Sequence, residues 1–176
     1  SLGNPKGFQD PYSMRARRIR VEIEPRSLLT DRIVVGLVEV VAQVVSYELW
    51  PGGSNLARLL KNVEEASAAS VGVDPAGPSR KVVIDRLVIR GARVRFAVGA
   101  AAGLGAGAVI SLPDIELRDI GKGKAGATSS EAFRVGLSAL VDAAARASVS
   151  VGIIPEGSNA ARKAAGSILD RLRKRL

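Results

Sequence analysis

The 176-residue chain contains neither histidine nor cysteine, so the commonest base near neutral pH, the commonest metal ligand and every thiol are missing. Ser-His and Cys-His nucleophile arrangements, Cys-ligated zinc, iron–sulfur clusters and disulfides are thereby excluded. Any catalysis would have to run on carboxylates, Lys or Tyr. The tightest group of carboxylates is Asp114, Glu116 and Asp119. In one extended strand Asp114 and Glu116 share a face while Asp119 takes the other, which reads as solvated strand polarity, because a cation site needs several oxygens converging on one point.

Two glycine-rich stretches imitate phosphate loops. Gly103-Leu104-Gly105-Ala106-Gly107-Ala108 has the spacing G-x-G-x-x-A, but a strand follows it, and no helix N-terminus is there to meet a phosphate. Gly121 to Thr128 follows the outline of a P-loop, yet Ala127 stands where the phosphate-contacting Lys is required. The expectation is therefore a protein that is not an enzyme, with no catalytic residue, no metal site and no cofactor.

Charge points outward instead. Lys and Arg outnumber Asp and Glu by 26 to 17, for a formal net charge of +9, which favours contact with a polyanion, either nucleic acid or an anionic bilayer. The basic run Arg15-Ala16-Arg17-Arg18-Ile19-Arg20 has no interleaved aromatic residue on which bases would stack, so nucleic acid is the weaker reading. No run approaches the roughly 18 apolar residues that identify a membrane-spanning helix, and Ser1-Leu2-Gly3 opens without a signal pattern.

The elements that would position these groups are mostly strands. Ile19, Val21 and Ile23 alternate with charged residues from Arg18 to Glu24, predicting a half-buried strand. Ile33 to Leu49 is a long β-branched stretch in which Val35, Leu37, Val41 and Val45 fall on one face and Val34, Val38, Val40 and Val44 on the other. Fully extended it would span roughly 55 Å, and Gly36 or the polar pair Glu39 and Gln43 mark possible bulges or a turn. Ser54 or Asn55 then caps a helix over 55–66 with Leu56, Leu59, Leu60 and Val63 on one side. Val82 to Ile89 and Val94 to Val98 read as two strands joined at Arg90-Gly91, and Val109 to Asp119 as a further strand with Pro113 at an edge or bulge.

Ser129 or Ser130 caps a second helix through Phe133, Leu137, Leu140, Val141 and Ala144. A short segment, Val149 to Ile154, leads to a last helix with Ala161, Ala164, Ala165, Ile168, Leu169, Leu172 and Leu176 on one side. Arg162, Lys163, Arg171, Arg173, Lys174 and Arg175 surround that stripe and are candidates for contact with a membrane surface. Tyr47 and Trp50 flank the end of the long strand, as core packing or as an interfacial pair. The fold class expected is α+β: a curved antiparallel sheet of long strands over residues 1–128 with the inserted helix at 55–66. A helical segment, 129–176, would pack on the sheet or on a membrane.

Several short motifs in this order resemble a known family. Gly3-Asn4-Pro5-Lys6-Gly7-Phe8, Pro25-x-Ser27-Leu28-Leu29-x-Asp31, Tyr47-Glu48, Gly53-Ser54-Asn55-Leu56 and Leu112-Pro113-Asp114-Ile115-x-Leu117-x-Asp119-Ile120-Gly121 are similar to segments of AsmA-like proteins of the bacterial envelope, over roughly Gly3 to Ala144. The resemblance implies a periplasmic fragment that lacks an N-terminal inner-membrane anchor. It also implies kinship with chorein-like sheets whose apolar gutter moves lipids, and no catalytic residue. With some five strands, bridging a periplasm is not expected; binding or transferring phospholipid or another lipid, or supporting envelope assembly, is. The candidate groove is Ile33, Val35, Leu37, Val41, Val45, Ile84, Leu87, Val94, Phe96, Ile110 and Leu112. The alternatives are a periplasmic β-module that recruits an envelope protein or oligomerises through an open sheet edge, and, more weakly, a nucleic-acid-binding basic protein.

Overall fold

The structure is a computed structural model that describes residues 1–50, 53–69, 80–98, 109–123 and 126–150. The last amphipathic helix, the Gly103 to Ala108 loop and the side chain of Trp50 lie outside the described residues. The fold is α+β and strand-rich. Eight strands form one sheet: β1 (Leu2–Gly3), β2 (Tyr12–Ile23), β3 (Arg32–Trp50), β4 (Gly53–Ser54), β5 (Lys81–Arg90), β6 (Arg93–Val98), β7 (Val109–Ser111) and β8 (Ile115–Ile120). Among the described residues two α-helices, α1 (Asn55–Ala69) and α2 (Ser129–Ser150), accompany it.

The long β-branched stretch is a single strand, and every other part of the sheet is organised around it. On one side β2 pairs antiparallel with β3, Met14 opposite Val45 and Val21 opposite Val38. On the other side β5 and β6 both run parallel to β3, which corrects the expectation of an antiparallel sheet throughout: most pairings are antiparallel, but these two are not. Arg32 pairs with Lys81 and Val45 with Val94 in one unbroken register, so β5 and β6 do not fold back on each other. They are one strand line interrupted at Gly91-Ala92. The predicted strand Val109 to Asp119 is likewise two: β7 pairs with β6 and β8 with β5, both antiparallel. Pro113, which has no N–H for a ladder, lies in the gap between them. There Leu112 N donates to Ala92 O at 2.8 Å and Gly91 N to the Asp114 carboxylate at 3.3 Å, closing both interruptions against each other.

Two transverse creases decide which apolar side chains face the helices. On β3, Gly36 is skipped between the pairs Leu37–Glu22 and Val35–Ile23, and Gln43 between Val44–Arg15 and Ala42–Ala16. Arg17 is the extra residue on β2, and the β5–β8 register skips Asp85 and Asp119, the latter in a left-handed conformation at φ 57°. Each bulge inverts the alternation that follows it. The core face of β3 therefore reads Ile33, Val35, then Val38, Val40, Ala42, then Val45, Tyr47, Leu49. The side-chain grouping expected from simple alternation is corrected accordingly: Val38 and Val40 join Val35, whereas Leu37 and Val41 lie outside this core, opposite Glu22 and Arg18.

α1 and α2 cover the core face. α1 inserts Leu56 and Leu60, and α2 contributes Leu137, Leu140, Val141 and Ala144 to one continuous apolar cluster with β3, β5 and β6. Tyr47 and Phe96 meet edge-to-face within it, ring centroids 5.4 Å apart. Gly136 allows α2 to approach the sheet closely, since a Cβ there would stand 3.4 Å from Leu87 Cδ1. Ser54 caps α1 through Ala57 N at 3.2 Å, and that helix continues to Ala69, three residues past its predicted end. α2 is capped by Thr128 rather than Ser129 or Ser130. Its hydroxyl accepts Glu131 N at 3.1 Å while the Glu131 carboxylate accepts Thr128 N at 2.7 Å, a reciprocal capping box. Helix also extends through Val149 and Ser150, where a separate segment was expected.

The reverse face of the sheet is charged. Glu39 binds Arg18 and Arg90 at 3.6 and 3.3 Å, and Glu116 binds Arg86 and Arg118 at 3.1 and 2.6 Å. Val88, paired between Glu39 and Glu116, is buried among them.

Candidate interaction surface

The candidate groove residues divide sharply. Val35, Val45, Ile84, Leu87, Val94, Phe96 and Leu112 are buried in the core cluster, and Ile33 and Ile110 pack against it. α1 and α2 pack against them. Leu37 and Val41 are on the reverse face and do not join the other nine.

The motif residues gather instead in a buried polar node. Glu48 is almost fully buried. Its carboxylate accepts the Asn4 side-chain amide at 2.8 Å, Gln9 N at 2.7 Å and Asp10 N at 2.9 Å. Asn55 accepts Glu48 N at 2.9 Å and donates to Ser46 O at 2.8 Å and Asn4 Oδ1 at 3.0 Å, while the Ser13 hydroxyl also donates to Asn4 Oδ1. The Gly3-Asn4-Pro5, Tyr47-Glu48 and Gly53-Ser54-Asn55 motifs thus converge on one network in which charge and amides are mutually satisfied. Ser27 of the Pro25-x-Ser27-Leu28-Leu29-x-Asp31 motif ties its turn, donating to Glu24 O at 2.6 Å and accepting Val34 N at 3.0 Å. These residues hold the chain together, with Ser13, Glu48 and Asn55 buried.

The remaining chemical candidates disperse. Asp114 accepts Gly91 N, Glu116 is held by two arginines, and Asp119 pairs with Lys122 at 2.8 Å. Among the described residues no three acidic side chains converge on a point. In the Gly121 to Thr128 stretch, Gly126 has φ +100° and a Cβ on it would stand 2.5 Å from Lys81 Cβ. Val82 and Ala127 exchange backbone hydrogen bonds at 2.7 and 2.8 Å, so this segment fastens the start of β5.

Of the two ends of the sheet, β8 is short and the outer side of β2 is the longer open edge among the described residues. β1 covers only its first residues, pairing Leu2 with Met14 and Gly3 with Tyr12. From Arg15 to Ile23, among the described residues, no strand pairs with β2 on the side away from β3. The alternation predicted there is present but the half-burial is not. Ile19, Val21 and Ile23 are 62%, 50% and 44% exposed, because they lie on the helix-bearing face in register with Val40, Val38 and Val35 yet beyond the reach of the helices. Leu28 and Leu29 in the following 3-10 turn are exposed as well. A long edge strand with an uncovered apolar stripe is a template for pairing with another strand. At the second crease Arg17, Val41, Ala42, Gly91 and Arg93 line an open concavity of about 430 Å³.

Sequence reasoning found the strand but not its exposure, and the node escaped it although Asn4, Glu48 and Asn55 were quoted among the motifs. No protein-family model, curated protein or solved structure matches this chain.

Proposed function

We propose that this domain is a non-catalytic assembly module of the bacterial envelope, AsmA-like in kind, that works by adding a strand to the open edge of β2. The observation behind the reading is the stripe Ile19, Val21 and Ile23, exposed on the same face that α1 and α2 bury elsewhere. Backbone groups along the edge supply affinity, and the stripe supplies register. In this reading the chain acts on the periplasmic side of the inner membrane, tethered by an anchor that precedes it, and the basic C-terminal residues Arg162, Lys163, Arg171, Arg173, Lys174 and Arg175 meet anionic headgroups.

A second reading keeps the lipid. The same stripe, with Leu28 and Leu29 beside it, is an apolar surface that acyl chains can cover, and Arg17 and Arg93 stand on the reverse face without an ion-pair partner among the described residues. Binding or transfer of phospholipid then takes place along β2 rather than in the packed centre of the sheet.

Native mass spectrometry with lipid extraction, run beside hydrogen exchange on β2, separates the two. Stoichiometric lipid released from the folded domain supports the second reading and counts against the first. A lipid-free domain in which the β2 amides that point away from β3 gain protection as a partner strand is supplied supports assembly. Outward-pointing β2 amides already protected in the dilute, lipid-free domain would remove the open edge and with it the proposal.

A further inference from the structure

The sequence of the open edge reads the same in both directions, with charge inverted. From Arg18 to Glu24 the order is Arg, Ile, Arg, Val, Glu, Ile, Glu. Antiparallel pairing of this segment with a second copy, centred on Val21, sets Arg20 opposite Glu22, Arg18 opposite Glu24 and Ile19 opposite Ile23, in both directions about the two-fold axis. Shifting the register by two leaves only two of these opposite-charge contacts and sets a like pair, Glu22–Glu22 or Arg20–Arg20, at the axis, and shifting it by one puts the isoleucines opposite charges.

The backbone is arranged for it. β2 is regular over Arg18 to Ile23, since the bulge at Arg17 precedes the segment and the one at Gly36 lies on β3. Glu24 is still extended at φ −71°, ψ 114°, and Pro25, which has no N–H to pair, ends the run. The segment spans about 24 Å, an ordinary strand length. Arg20 and Glu22 are already in contact along their own strand at 2.6 Å, both well exposed, so each needs only to turn outward to meet its opposite in a second chain.

We infer that the occupant of the β2 edge is a second copy of this chain, giving a two-fold dimer whose sheet runs continuously across the axis and whose two apolar stripes merge into one. The inference rests on the assembly reading above and specifies its partner. Arg18 and Arg20 alone would repel a like edge; the glutamates at 22 and 24 convert that repulsion into attraction, and the register centred on Val21 is the one that does so with no like-charge pair.

Sedimentation equilibrium of the full chain across two decades of concentration tests it, with Arg20→Glu, Glu22→Arg and the double exchange. The wild type is expected to dimerise with increasing concentration. Each single variant should dimerise about tenfold more weakly, because two opposite-charge contacts become like-charge ones, and the double exchange should restore the wild-type constant. Both single variants weakening together is diagnostic. If net charge alone governed association, Arg20→Glu would strengthen it and only Glu22→Arg would weaken it, and that pattern overturns the inference. A wild type that stays monomeric also overturns it. A labelled peptide of Arg18 to Glu24 then shows how far the failure reaches: if it binds the monomer, the edge accepts a strand but not a whole second domain, and the assembly reading survives; if it does not bind, both fall.

Discussion

The Glu48 carboxylate receives the side-chain amide of Asn4 at 2.8 Å, across 44 residues of sequence, and so fixes the N-terminal segment to the end of the central strand. The same carboxylate accepts the backbone N–H groups of Gln9 and Asp10. Replacement by Leu strands three donors in a buried site, for an expected loss of about 2–4 kcal/mol. Glu48→Gln should recover part of this, because one oxygen remains while the new amide meets donors. Urea unfolding reads the loss, and limited proteolysis should show cleavage within residues 1–12 in Glu48→Leu before the rest of the domain is attacked.

Gly136 is a point where α2 packs against Leu87 of the sheet. A methyl there reaches ordinary contact with Leu87 at 3.4 Å, and Ala is favoured over Gly in a helix interior by about 1 kcal/mol. Gly136→Ala is therefore expected to leave stability unchanged or raise it by up to about 1 kcal/mol. Gly136→Leu should lower it by about 1–3 kcal/mol through overpacking. Equal destabilisation by both, in denaturant melts, would contradict this packing.

Asp142 sits partly buried on α2 with Oδ1 lacking a hydrogen-bond partner. Burial pushes its carboxyl above the ordinary value, with Arg146 opposing. A folded-state value above the unfolded one means that ionisation weakens the fold, so Asp142's contribution is fully favourable only below about pH 4 and is lost as pH rises through the folded value. Asp142→Asn should raise the thermal midpoint at neutral pH, and the gain should vanish in acid. A gain that persists in acid would point to another cause.

Asp10 behaves oppositely. Burial opposes its ionisation, but Tyr12 N–H and the Arg95 guanidinium outweigh that and hold its carboxyl below the ordinary value. Its stabilisation is present above about pH 4 and lost as pH falls through the lower folded value. The stability difference between wild type and Asp10→Asn, measured across pH by chemical denaturation, should shrink on acidification. Arg95, whose ion-pair partner is Asp10, should show the same dependence when replaced by Met.

Much of this was legible in the sequence for local reasons. The β-branched run from Ile33 to Leu49 is a strand because such side chains fit a pleated surface, and the caps and turn residues near Ser54 and Pro25 were read from their types. Long-range choices were not legible. Nothing in Val82 to Ile89 says whether it runs with or against β3, and one unpaired residue at Gly36 or Gln43 exchanges the faces of everything beyond it, which is why Leu37 and Val41 were misassigned. Thr128-x-x-Glu131 did present a capping box, obscured by the two serines inside it. For the interaction surface, alternation at Ile19, Val21 and Ile23 identified a face, but whether a helix reaches that face is set by where α1 and α2 lie, a property of the whole fold.

The parallel pairing of β3 with β5 and β6 also sets the order of events in folding. β2 and β3 are neighbours in the chain and can zip from the turn at Pro25–Leu29. Each β3 residue must instead find a partner 49 positions later, as Arg32 finds Lys81 and Val45 finds Val94. Closure over that distance is entropically costly and slow relative to the hairpin. During the interval the side of the hydrophobic β3 ribbon that β5 and β6 later cover is bare. Expression yield and refolding should therefore be limited by chain concentration early in folding, with aggregation arising from that half-built ribbon.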